Sequence, residues 1–586
     1  MIDFGKARAA AFKLLESTRT IEQVSEAIKN RVGGTTTKTF WRVIVEVPVG
    51  DRIKDFTLEV FLKQDFPLSL PEIKLAERDY EQTKYLPHVD TRRGICLFDQ
   101  EKIKQNTADP AGIVNECVNQ AVRILADGLN KCRTPEFNDE IIAYWENTYH
   151  SNDSVAPAYL GSNMSSLVPG HVVAYYIQPD HGNVNLYVGN EEAETEQLLE
   201  FFKLRGHSVQ PLEAYYLGET DDLNPPFYFT NKSLIEFIQH RFNGIWKEVK
   251  GYFNRSLPVN KFVIFSVISG TQPIFMGFYL KPTRTKINGW RTGGHHSTVE
   301  IMTRINPTQP VARIRFMEFH PSRLRARTDG DSTALPAKKF MFAGLGSIGS
   351  NLLAYLNAFE VERYILVDPE VLVLENVNRH LLSFSDVGQT KVSGVARYLK
   401  FHNPFVNITK HASSIVDVIQ RDLEEVNEMD MVFCAIGKDA IETYILQQLA
   451  AGQIQRPVIF FWVEPYLLGA HVLYIKPQTT FYLSDLENNG FYKFNILAPE
   501  AYQDPAKKTS LREAGCQGSY MPYGKAEIIR FISALMPYLF DFIQNPPTDN
   551  LAITYAGDLN TAATLDLPIS NFASTMQSHQ ILIQTV

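Results

Sequence analysis

The stretch KKFMFAGLGSIGSNLLAYLNAF, residues 338–359, constrains the fold of this chain more than any other. An apolar strand leads through a glycine-rich turn into a helical pattern, and a second apolar strand, RYILVD at 363–368, follows closely. Strands that alternate with a helix in this way belong to a parallel sheet, because the helix carries the chain back across it. The stretch predicts a βαβ unit.

The turn of this unit carries three glycines, Gly344, Gly346 and Gly349, in a GxGxxG pattern. Glycines allow a tight turn and let the backbone approach a phosphate, whose negative charge then lies at the helix N-terminus. The pattern suits dinucleotide-dependent oxidoreductases as well as ATP-binding domains. Asp368, at the end of the second strand, could hold a ribose hydroxyl in both.

The residues after Asp368 favour ATP over a redox dinucleotide. The stretch VDPEVLVLENVNRHLLSFSDVGQTKVSGVARYL, residues 367–399, supplies Asn376, Arg379 and Lys391 close to the glycine turn. An arginine, a lysine and an amide that converge on phosphates can stabilise the charge that develops when the α-phosphorus is attacked.

This part of the chain resembles the ThiF/MoeB-type adenylating domain, which ubiquitin-activating enzymes share with the sulfur-carrier activators of thiamin and molybdopterin synthesis. The family pattern is a glycine loop, then DxDxVxxxNLxRQ, then VGxxK. The resemblance implies a Rossmann-like fold and ATP with Mg²⁺ as cofactors. It also implies that Asp368 binds ribose, that Asn376 and Arg379 bind phosphates, with Arg379 as the charge-stabilising finger, and that Lys391 binds the α-phosphate.

The chain departs from this pattern at three places. Glu370 replaces the second aspartate, and His380 replaces the glutamine after the arginine. The magnesium-binding aspartate of the family lies in a CTDN motif, whereas this chain has FCAIGKDAIE at residues 433–442. Asp439 is the nearest carboxylate and is therefore the candidate magnesium ligand.

Cys516 is a candidate catalytic thiol. It lies between glycines in LREAGCQGSYMPYGKAEIIRFISALM, residues 511–536, just before a long amphipathic helix, and Arg512 and Lys525 flank it. A helix N-terminus and nearby positive charge favour a thiolate. In the family that the adenylating domain resembles, such a cysteine takes the acyl group from AMP as a thioester; the alternative is an incidental loop thiol.

Cys96 is a second candidate. The segments DFPLSLPEIKL, residues 65–75, and YLPHVDTRRGICLFDQ, residues 85–100, resemble a ubiquitin-conjugating enzyme, whose pattern is YPxxPPxVxF, then HPNV, then GxICLD. The resemblance makes Cys96 the acceptor thiol and puts His88 where the family asparagine supports the oxyanion. The alternative is a buried cysteine at a strand end.

The pattern of the other segments predicts a multidomain α+β and α/β protein. Residues 1–150 carry helical spacing from 4 to 30, two alternating strand patterns and further helices, which predicts a conjugating-like α+β domain. Residues 151–330 begin with a Ser-, Asn- and Pro-rich stretch at 150–170 that is typical of a linker. After a second polar linker at 325–339, residues 331–586 hold the adenylating domain.

Composition excludes several classes of function. A net charge of −8 without long blocks of like charge is unfavourable for binding nucleic acid or an anionic membrane. The 5 cysteines contain no CxxC pair, which argues against a disulfide framework or a four-thiolate zinc site. The start of the sequence lacks a secretory pattern, so we expect a cytoplasmic protein with reduced thiols.

The order of the two domains resembles the conjugating-plus-activating fusion of CBASS antiphage operons. The resemblance implies an enzyme that adenylates a protein C-terminus and passes it through Cys516 and Cys96 to a target amine. It makes the middle region an inactive adenylation-like domain, the active domain a homodimer, and the substrate the C-terminus of a cGAS/DncV-like nucleotidyltransferase. A dedicated ubiquitin-like modifier is the alternative substrate, and a nucleotide-binding scaffold without turnover is the alternative function.

Overall fold

A computed structural model describes most of the chain, in two compact units. The described residues are 3–22, 37–81, 83, 86–90, 92–98, 103–130, 141–146, 154–161, 167–178, 185–189, 192–220, 223, 227–255, 261–269, 272–280, 297–319, 335, 338–359, 361–512 and 519–586. The first unit comprises Met1–Glu192 with His207–His320, and the second comprises Ala193–Gly206 with Pro321–Val586. The predicted three-domain boundaries stay predictions.

The N-terminal part of the first unit is an antiparallel sheet of four strands in the order β1-β2-β3-β4. The strands are β1 Thr20–Glu22, β2 Thr37–Val49, β3 Arg52–Lys63 and β4 Glu72–Leu75. Alternate residues of β2 are buried, as the two-residue period of a half-buried strand requires, whereas β3 is buried continuously from Phe56 to Leu62. The apolar side chains of both strands form one core with helices Phe4–Thr18 and Pro110–Leu129.

The first helix is shorter than its sequence pattern predicts. It ends at Thr18, and Thr20 and Ile21 pair with Ile44 and Val43 of β2 instead. β-branched side chains fit a strand better than a helix, and tertiary pairing overrides the helical spacing. The rest of the predicted helix, residues 23–30, lies outside the described residues.

The remainder of the first unit contains a closed barrel in the order β10-β11-β5-β7-β6-β8-β9. Its strands are β5 Val155–Leu160, β6 Gly170–Gln178, β7 Asn185–Gly189, β8 Ser208–Thr220, β9 Lys261–Ser269, β10 Gln272–Leu280 and β11 Ala312–Glu318. The prediction that residues 150–170 are only a linker is wrong, because β5 pairs in parallel with β11. A mixed closed barrel gives no support to an adenylation-like copy here, which stays a prediction.

The second unit is built on an eight-stranded sheet in the order β14-β13-β12-β15-β16-β17-β22-β23. Its strands are β12 Lys339–Ala343, β13 Arg363–Val367, β14 Asn407–His411, β15 Met431–Cys434, β16 Val458–Val463, β17 Gly469–Ile475, β22 Leu551–Ala556 and β23 Ile581–Thr585. The first five strands in this order, from β14 to β16, pair in parallel. The pairs β16-β17, β17-β22 and β22-β23 are antiparallel. The predicted βαβ unit is confirmed.

Two short ribbons complete the strands, β18 Glu487–Asn488 with β19 Phe491–Tyr492 and β20 Leu511–Arg512 with β21 Ser519–Tyr520. The described α-helices, numbered α1 to α16 in chain order, are Phe4–Thr18, Glu77–Tyr80, Pro110–Leu129, Ile141–Glu146, Glu192–Leu204, Asn231–Arg241, Trp246–Asn254, Thr298–Glu300, Ser347–Leu356, Lys391–His402, Ile415–Arg421, Leu423–Asn427, Asp439–Ala450, Pro499–Gln503, Lys525–Gln544 and Leu559–Thr564. Across the described helices, none has both the length and the apolar character needed to cross a membrane.

Candidate nucleotide site and acceptor thiols

The glycine turn lies between β12 and α9 and has the geometry of a phosphate cradle. Gly344 adopts φ +90, and a Cβ there would lie 2.6 Å from the Ala435 carbonyl oxygen. A Cβ at Gly349 would lie 2.1 Å from the Gly344 carbonyl oxygen, so only glycine allows this close approach. Gly346 precedes α9 and has open space beside it. The backbone can therefore approach a phosphate at the helix N-terminus.

Asp368 holds the glycine turn in place. Its buried carboxylate accepts hydrogen bonds from the backbone N–H of Leu345 at 2.6 Å and of Glu370 at 2.8 Å. Burial raises the pKa of Asp368, and the positive charge of Lys391 opposes that shift. Its position at the end of β13, lining a cavity with Gly346, fits a ribose contact, which stays a prediction.

Lys391 is the first residue of α10 and lies almost fully buried beside the turn. Its Nζ forms an ion pair with Glu370 Oε2 at 2.5 Å. The hydrogen bond from Lys391 lowers the pKa of Glu370, so this carboxylate carries its charge at neutral pH. A phosphate that entered the cavity would compete with Glu370 for the ammonium group.

Arg379 and Asn376 line a second cavity, which shares Gly346, Glu370 and Lys391 with the first. Arg379 Nη1 donates to the Met521 carbonyl oxygen at 3.2 Å, and its guanidinium lies 5.1 Å from the centre of the Tyr523 ring. The structure thus brings Asn376, Arg379 and Lys391 to one opening, as the sequence predicts. Their individual roles stay predictions.

His380 braces the same turn from below. Its Nε2 donates to the Leu345 carbonyl oxygen at 2.6 Å, and its Nδ1 accepts from the Leu382 N–H at 3.0 Å. Burial lowers the pKa of His380 to about 4, which keeps the ring neutral. Lys525 Nζ donates to the His380 carbonyl oxygen at 3.0 Å. His380, which replaces the family glutamine, therefore holds the glycine turn in place through these hydrogen bonds.

Asp439 does not lie among the residues that line either cavity. It is exposed at the start of α13. Within the described part of the chain, no group of three or more histidine, cysteine, aspartate or glutamate side chains is arranged to hold a metal ion. The donor set is thus a poor fit for a metal held by the protein alone, and the magnesium role of Asp439 stays a prediction.

Glu442 is the buried carboxylate near this position. Its Oε1 accepts a hydrogen bond from the Gly437 N–H at 2.9 Å, and Gly437 lines the cavity beside Arg379. Burial raises the pKa of Glu442 to about 7, and Asp439 adds to the shift. The carboxylate therefore titrates near neutral pH directly beneath the cavity wall.

Cys516 lies outside the described residues, but both flanks of its segment are described. Leu511 pairs with Tyr520 and Arg512 pairs with Ser519, so the flanks form a short antiparallel ribbon.

The residues after this ribbon reach the nucleotide cavity. Met521 and Tyr523 line it together with Arg379, and the Tyr523 hydroxyl is hydrogen-bonded to Ser347 at 2.8 Å. Tyr466, which has the left-handed φ of 59, contacts both flanks: its N–H donates to the Pro522 carbonyl oxygen and its hydroxyl donates to the Lys508 carbonyl oxygen at 3.2 Å.

Cys96 lies at the end of a tight turn in the first unit and is exposed. Asp90 closes the turn, since its Oδ1 accepts from the N–H of Arg92 at 2.8 Å and of Gly94 at 2.7 Å. The Cys96 N–H donates to the His88 carbonyl oxygen at 2.8 Å, which sets the two predicted catalytic residues opposite each other. The alternative of a buried strand-end cysteine is wrong.

Two other cysteines are core residues, as the sequence predicts. Cys117 on α3 and Cys434 at the end of β15 are buried. Burial raises the pKa of Cys117 to about 12 and raises the pKa of Cys434 well above its ordinary value. Cys132 lies outside the described residues.

Several residues of the site escape sequence reasoning. Met521, Tyr523 and Tyr466 reach the site only through tertiary contacts, and no local pattern marks them. Glu442 could have been found from its sequence position, because it lies one helical turn from Asp439 on the same helix.

Two regions of the chain match models of protein families. The ThiF family model matches residues 323–510, and the Prokaryotic E2 family B model matches residues 22–153. The first region contains the glycine turn and all described residues of the two cavities except Met521 and Tyr523, and the second contains the Cys96 turn.

Among curated proteins, the chain is 21% identical over 581 residues to the ATP-dependent ubiquitin transferase-like protein Cap2 of Pseudomonas aeruginosa (strain BWHPSA011 / Pa011), a match that covers 94% of this chain and 97% of the relative. A Cap2 of Enterobacter hormaechei subsp. hoffmannii is 22% identical and is matched over 42% of this chain and 39% of its own length. The Ubiquitin-like modifier-activating enzyme 5 of Drosophila virilis is 32% identical over 153 residues, which are 24% of this chain and 38% of that protein.

Among solved structures, E. coli MccB with ATP has a TM-score of 0.28 and 16% identity, and the match covers 43% of this chain and 64% of that one. PaaA has a TM-score of 0.29 with the same identity and coverage. From the two family matches and the nearly full-length Cap2 match, we conclude that the chain joins a prokaryotic E2 family B region to a ThiF family region and resembles the Cap2 ubiquitin transferase-like proteins.

Proposed function

We propose that the chain is an ATP-dependent enzyme that activates the C-terminal carboxylate of a protein, carries it as a thioester on Cys516 and then on Cys96, and joins it to an amine. One observation carries the proposal. The glycine turn, Arg379 and Lys391 face one cavity, and the residues that follow the Cys516 segment, Met521 and Tyr523, line the same cavity. Activation and capture would therefore take place side by side.

The cavity suits a triphosphate chemically. The N-terminus of α9 and the open space beside Gly346 would receive phosphate oxygens. Lys391 would exchange its partner Glu370 for the α-phosphate, and Arg379 would turn its guanidinium from the Met521 carbonyl toward the charge that develops during attack. Magnesium, when bound, would neutralise part of the phosphate charge, and Asp439 stays its candidate ligand, because the described residues offer no cluster that would hold the ion alone.

The chemistry is a sequence of acyl exchanges. A carboxylate oxygen of the donor attacks the α-phosphorus, the bond to pyrophosphate breaks, and an acyl-AMP forms. The Cys516 sulfur, as thiolate, then attacks the acyl carbon and AMP leaves. The Cys96 thiolate attacks the same carbon and releases the Cys516 thiolate. Finally an amine attacks, the Cys96 thiolate leaves, and the amine loses a proton to water. Each exchange between similar thioesters keeps the barrier low.

His88 would act in the last step. The hydrogen bond from the Cys96 N–H to the His88 carbonyl oxygen sets the two residues side by side. We propose that the imidazole N–H of His88 stabilises the oxyanion of the tetrahedral intermediate, in place of the family's amide.

The proposed acyl donor is the C-terminus of a cGAS/DncV-like nucleotidyltransferase, and its modification would prime antiphage second-messenger synthesis. This rests on the resemblance to the Cap2 proteins. We further propose a homodimer through the adenylating region. Exposed apolar side chains follow the nucleotide turn in that region, and large exposed apolar surfaces favour association: Val371, Val373, Leu374, Phe384 and Val387.

Pyrophosphate exchange and thioester trapping test the proposal. The full-length protein is incubated with labelled pyrophosphate, ATP and an N-terminally fluorescent nucleotidyltransferase with a free C-terminus. We expect donor-dependent exchange and adducts that dithiothreitol removes. Arg379→Ala should abolish exchange, and Arg530→Ala, which removes a half-exposed arginine of the same unit, is the control.

The cysteine variants separate the two thioesters. Cys516→Ala should retain exchange and lose both adducts, whereas Cys96→Ala should retain the first adduct and lose the second. Charging of Cys96 in the Cys516→Ala variant would show that Cys516 is not the first acceptor.

Two other outcomes correspond to the alternatives. Exchange with a β-grasp protein that ends in glycine, and none with the nucleotidyltransferase, would identify a ubiquitin-like modifier as the donor. The exposed position of Asp439 favours a scaffold that binds nucleotide without turnover. ATP binding without exchange for either donor would establish that function instead.

A further inference from the structure

A cluster of three charged residues, a buried carboxylate and two partly buried arginines, lies beneath the Cys96 turn. Glu59, on β3, has a side chain that is 1% exposed. Arg42, its direct partner on β2, donates to Glu59 Oε1 from Nη2 at 2.8 Å and from Nε at 3.2 Å. Arg93, in the turn itself, donates to Glu59 Oε2 from Nη1 at 2.9 Å. One carboxylate therefore pairs with two guanidinium groups.

Stability alone is a weak reason to bury these charges. Burying the Glu59 carboxylate and partly burying two guanidinium groups costs free energy that apolar side chains would avoid, so such ion pairs often add little net stability. What such a cluster does supply is a fixed position, because Arg42 binds Glu59 Oε1 through two nitrogens while Arg93 binds Oε2 through Nη1. The cluster is therefore better suited to fixing a position than to strengthening the core.

Arg93 links the cluster to the turn and to strand β4. Its Nη1 also donates to the Leu75 carbonyl oxygen on β4 at 2.6 Å, and the Leu75 N–H donates to the Arg93 carbonyl oxygen at 2.8 Å. Arg93 has φ 69, a left-handed conformation that is unfavourable for a residue with a Cβ and that concentrates at functional sites. The surrounding bonds hold the residue in this conformation.

The turn is thus fixed from two sides. Asp90 closes it at the surface through the N–H groups of Arg92 and Gly94, and the Arg93 guanidinium ties it to the sheet beneath. The Ile95 N–H donates to the Ile73 carbonyl oxygen at 2.8 Å, and Cys96 follows immediately. The place of the thiol relative to the sheet is set by these contacts.

We propose that Glu59 and Arg93 are positioning residues for the acyl transfer to Cys96. The proposal rests on the function proposed above. In that step the Cys96 sulfur forms a bond to the acyl carbon, and the bond from that carbon to the Cys516 sulfur breaks, so that Cys516 leaves as thiolate. Glu59 and Arg93 touch neither reacting atom. They hold the backbone that presents the sulfur, and small displacements of a nucleophile slow its attack.

Two variants and one matched control test this. Glu59→Gln removes the charge that both arginines share, and Arg93→Met removes the link to the turn while Glu59 keeps Arg42. Glu72→Gln is the control, since it removes a half-exposed carboxylate of the neighbouring strand β4. Each full-length variant is charged with ATP and the fluorescent nucleotidyltransferase, and the adducts on Cys516 and Cys96 are quantified separately.

We expect the rate of transfer to Cys96 to fall by about tenfold or more in both variants, since positioning accounts for large factors in rate. Charging of Cys516 should keep its wild-type rate. Cys117, buried in the same domain, reports folding: its reaction with a thiol reagent should stay as slow as in the wild type. A loss of transfer with Cys117 still protected distinguishes positioning from unfolding.

Transfer within about twofold of wild type in Arg93→Met would overturn the proposal. The proposal would also be overturned if, in both variants, transfer were lost and Cys117 reacted with the thiol reagent faster to the same extent. Hydrogen exchange at the amides of Arg92, Gly94 and Cys96 needs no donor. Faster exchange in the variants supports the proposal, and unchanged exchange refutes it. A wild-type protein that forms no thioester would instead refute the proposed function, while hydrogen exchange still decides whether the cluster fixes the turn.

Discussion

Replacement of His380 by glutamine should remove an acid sensitivity from the second unit. The wild-type ring is buried with a pKa of about 4, whereas a histidine in an unfolded chain has a pKa near 6.5. Below about pH 6.5, His380 therefore binds a proton in the unfolded chain but stays neutral in the folded chain until the pH approaches 4. Stability from this residue is fully present above pH 6.5 and is lost as the pH falls toward 4.

The size of the effect follows from the two pKa values. Stability changes by about 1.4 kcal/mol for each pH unit in which only the unfolded state is protonated. Between about pH 7.5 and pH 5 the wild type should lose about 2 kcal/mol through this group alone. Glutamine does not titrate, and its side-chain amide can still donate to the Leu345 carbonyl oxygen that His380 Nε2 contacts.

The assay uses buried thiols as reporters of each unit. Cys434 lies in the second unit and Cys117 in the first, and both are buried. The full-length protein is unfolded in urea at several pH values with a dithiodipyridine, a thiol reagent that also reacts in acid, and labelling at each cysteine is measured by mass spectrometry. Separate reporters are needed because a chain with several domains does not unfold in one step.

We expect the Cys434 midpoint to fall with pH more steeply in the wild type than in His380→Gln, while the Cys117 midpoint is the same in both. His402→Gln, an exposed histidine of the same unit, should behave like the wild type. Parallel pH profiles for wild type and His380→Gln would refute the argument that the buried ring stays neutral.

Three further predictions use the same unit. Glu442→Gln should change the pH dependence of stability in the opposite direction, because burial raises the pKa of the wild-type carboxylate to about 7. Glu442 stabilises the fold at low pH, and this stability is lost as the pH rises through 7. Between about pH 5 and pH 8 the wild type should lose about 2 kcal/mol of stability relative to the variant, measured at Cys434. Tyr466→Phe removes the hydroxyl bond to Lys508 and should slow capture on Cys516 by about fivefold without slowing pyrophosphate exchange, which single-turnover assays measure. Gly349→Ala should abolish ATP binding in equilibrium dialysis, because the new Cβ would lie 2.1 Å from the Gly344 carbonyl oxygen; retained binding would contradict the cradle.

Local patterns were enough to predict the βαβ unit and to bring Asn376, Arg379 and Lys391 to the second cavity. The strand, the glycine turn and the helix follow one another within residues 338–359, and Asn376, Arg379 and Lys391 follow in the segment that leads into α10 and at its first residue. A parallel sheet brings the carboxyl ends of its strands to one edge, so residues that are close in sequence there are also close in space.

Non-local pairing explains what the sequence did not predict. Strand β5 pairs in parallel with β11, which is the last strand of the barrel in sequence. Because that partner is distant in sequence, the Ser-, Asn- and Pro-rich residues around β5 resemble a linker when they are read locally. Likewise, Arg379 contacts Met521 across 142 residues. Such contacts depend on the whole fold, and no window of sequence contains both partners.

The fold also separates thiols that can react from thiols that cannot. Burial keeps Cys117 and Cys434 protonated at neutral pH, and a protonated thiol is a poor nucleophile. We therefore expect thioesters at Cys96, which is exposed, and at Cys516, whose flanking residues form a short ribbon. A double variant, Cys96→Ala with Cys516→Ala, therefore retains no cysteine in the described residues that can compete. A dithiothreitol-sensitive adduct on that variant would show that a third cysteine takes part in the relay, and Cys132, which lies outside the described residues, would be the first to test.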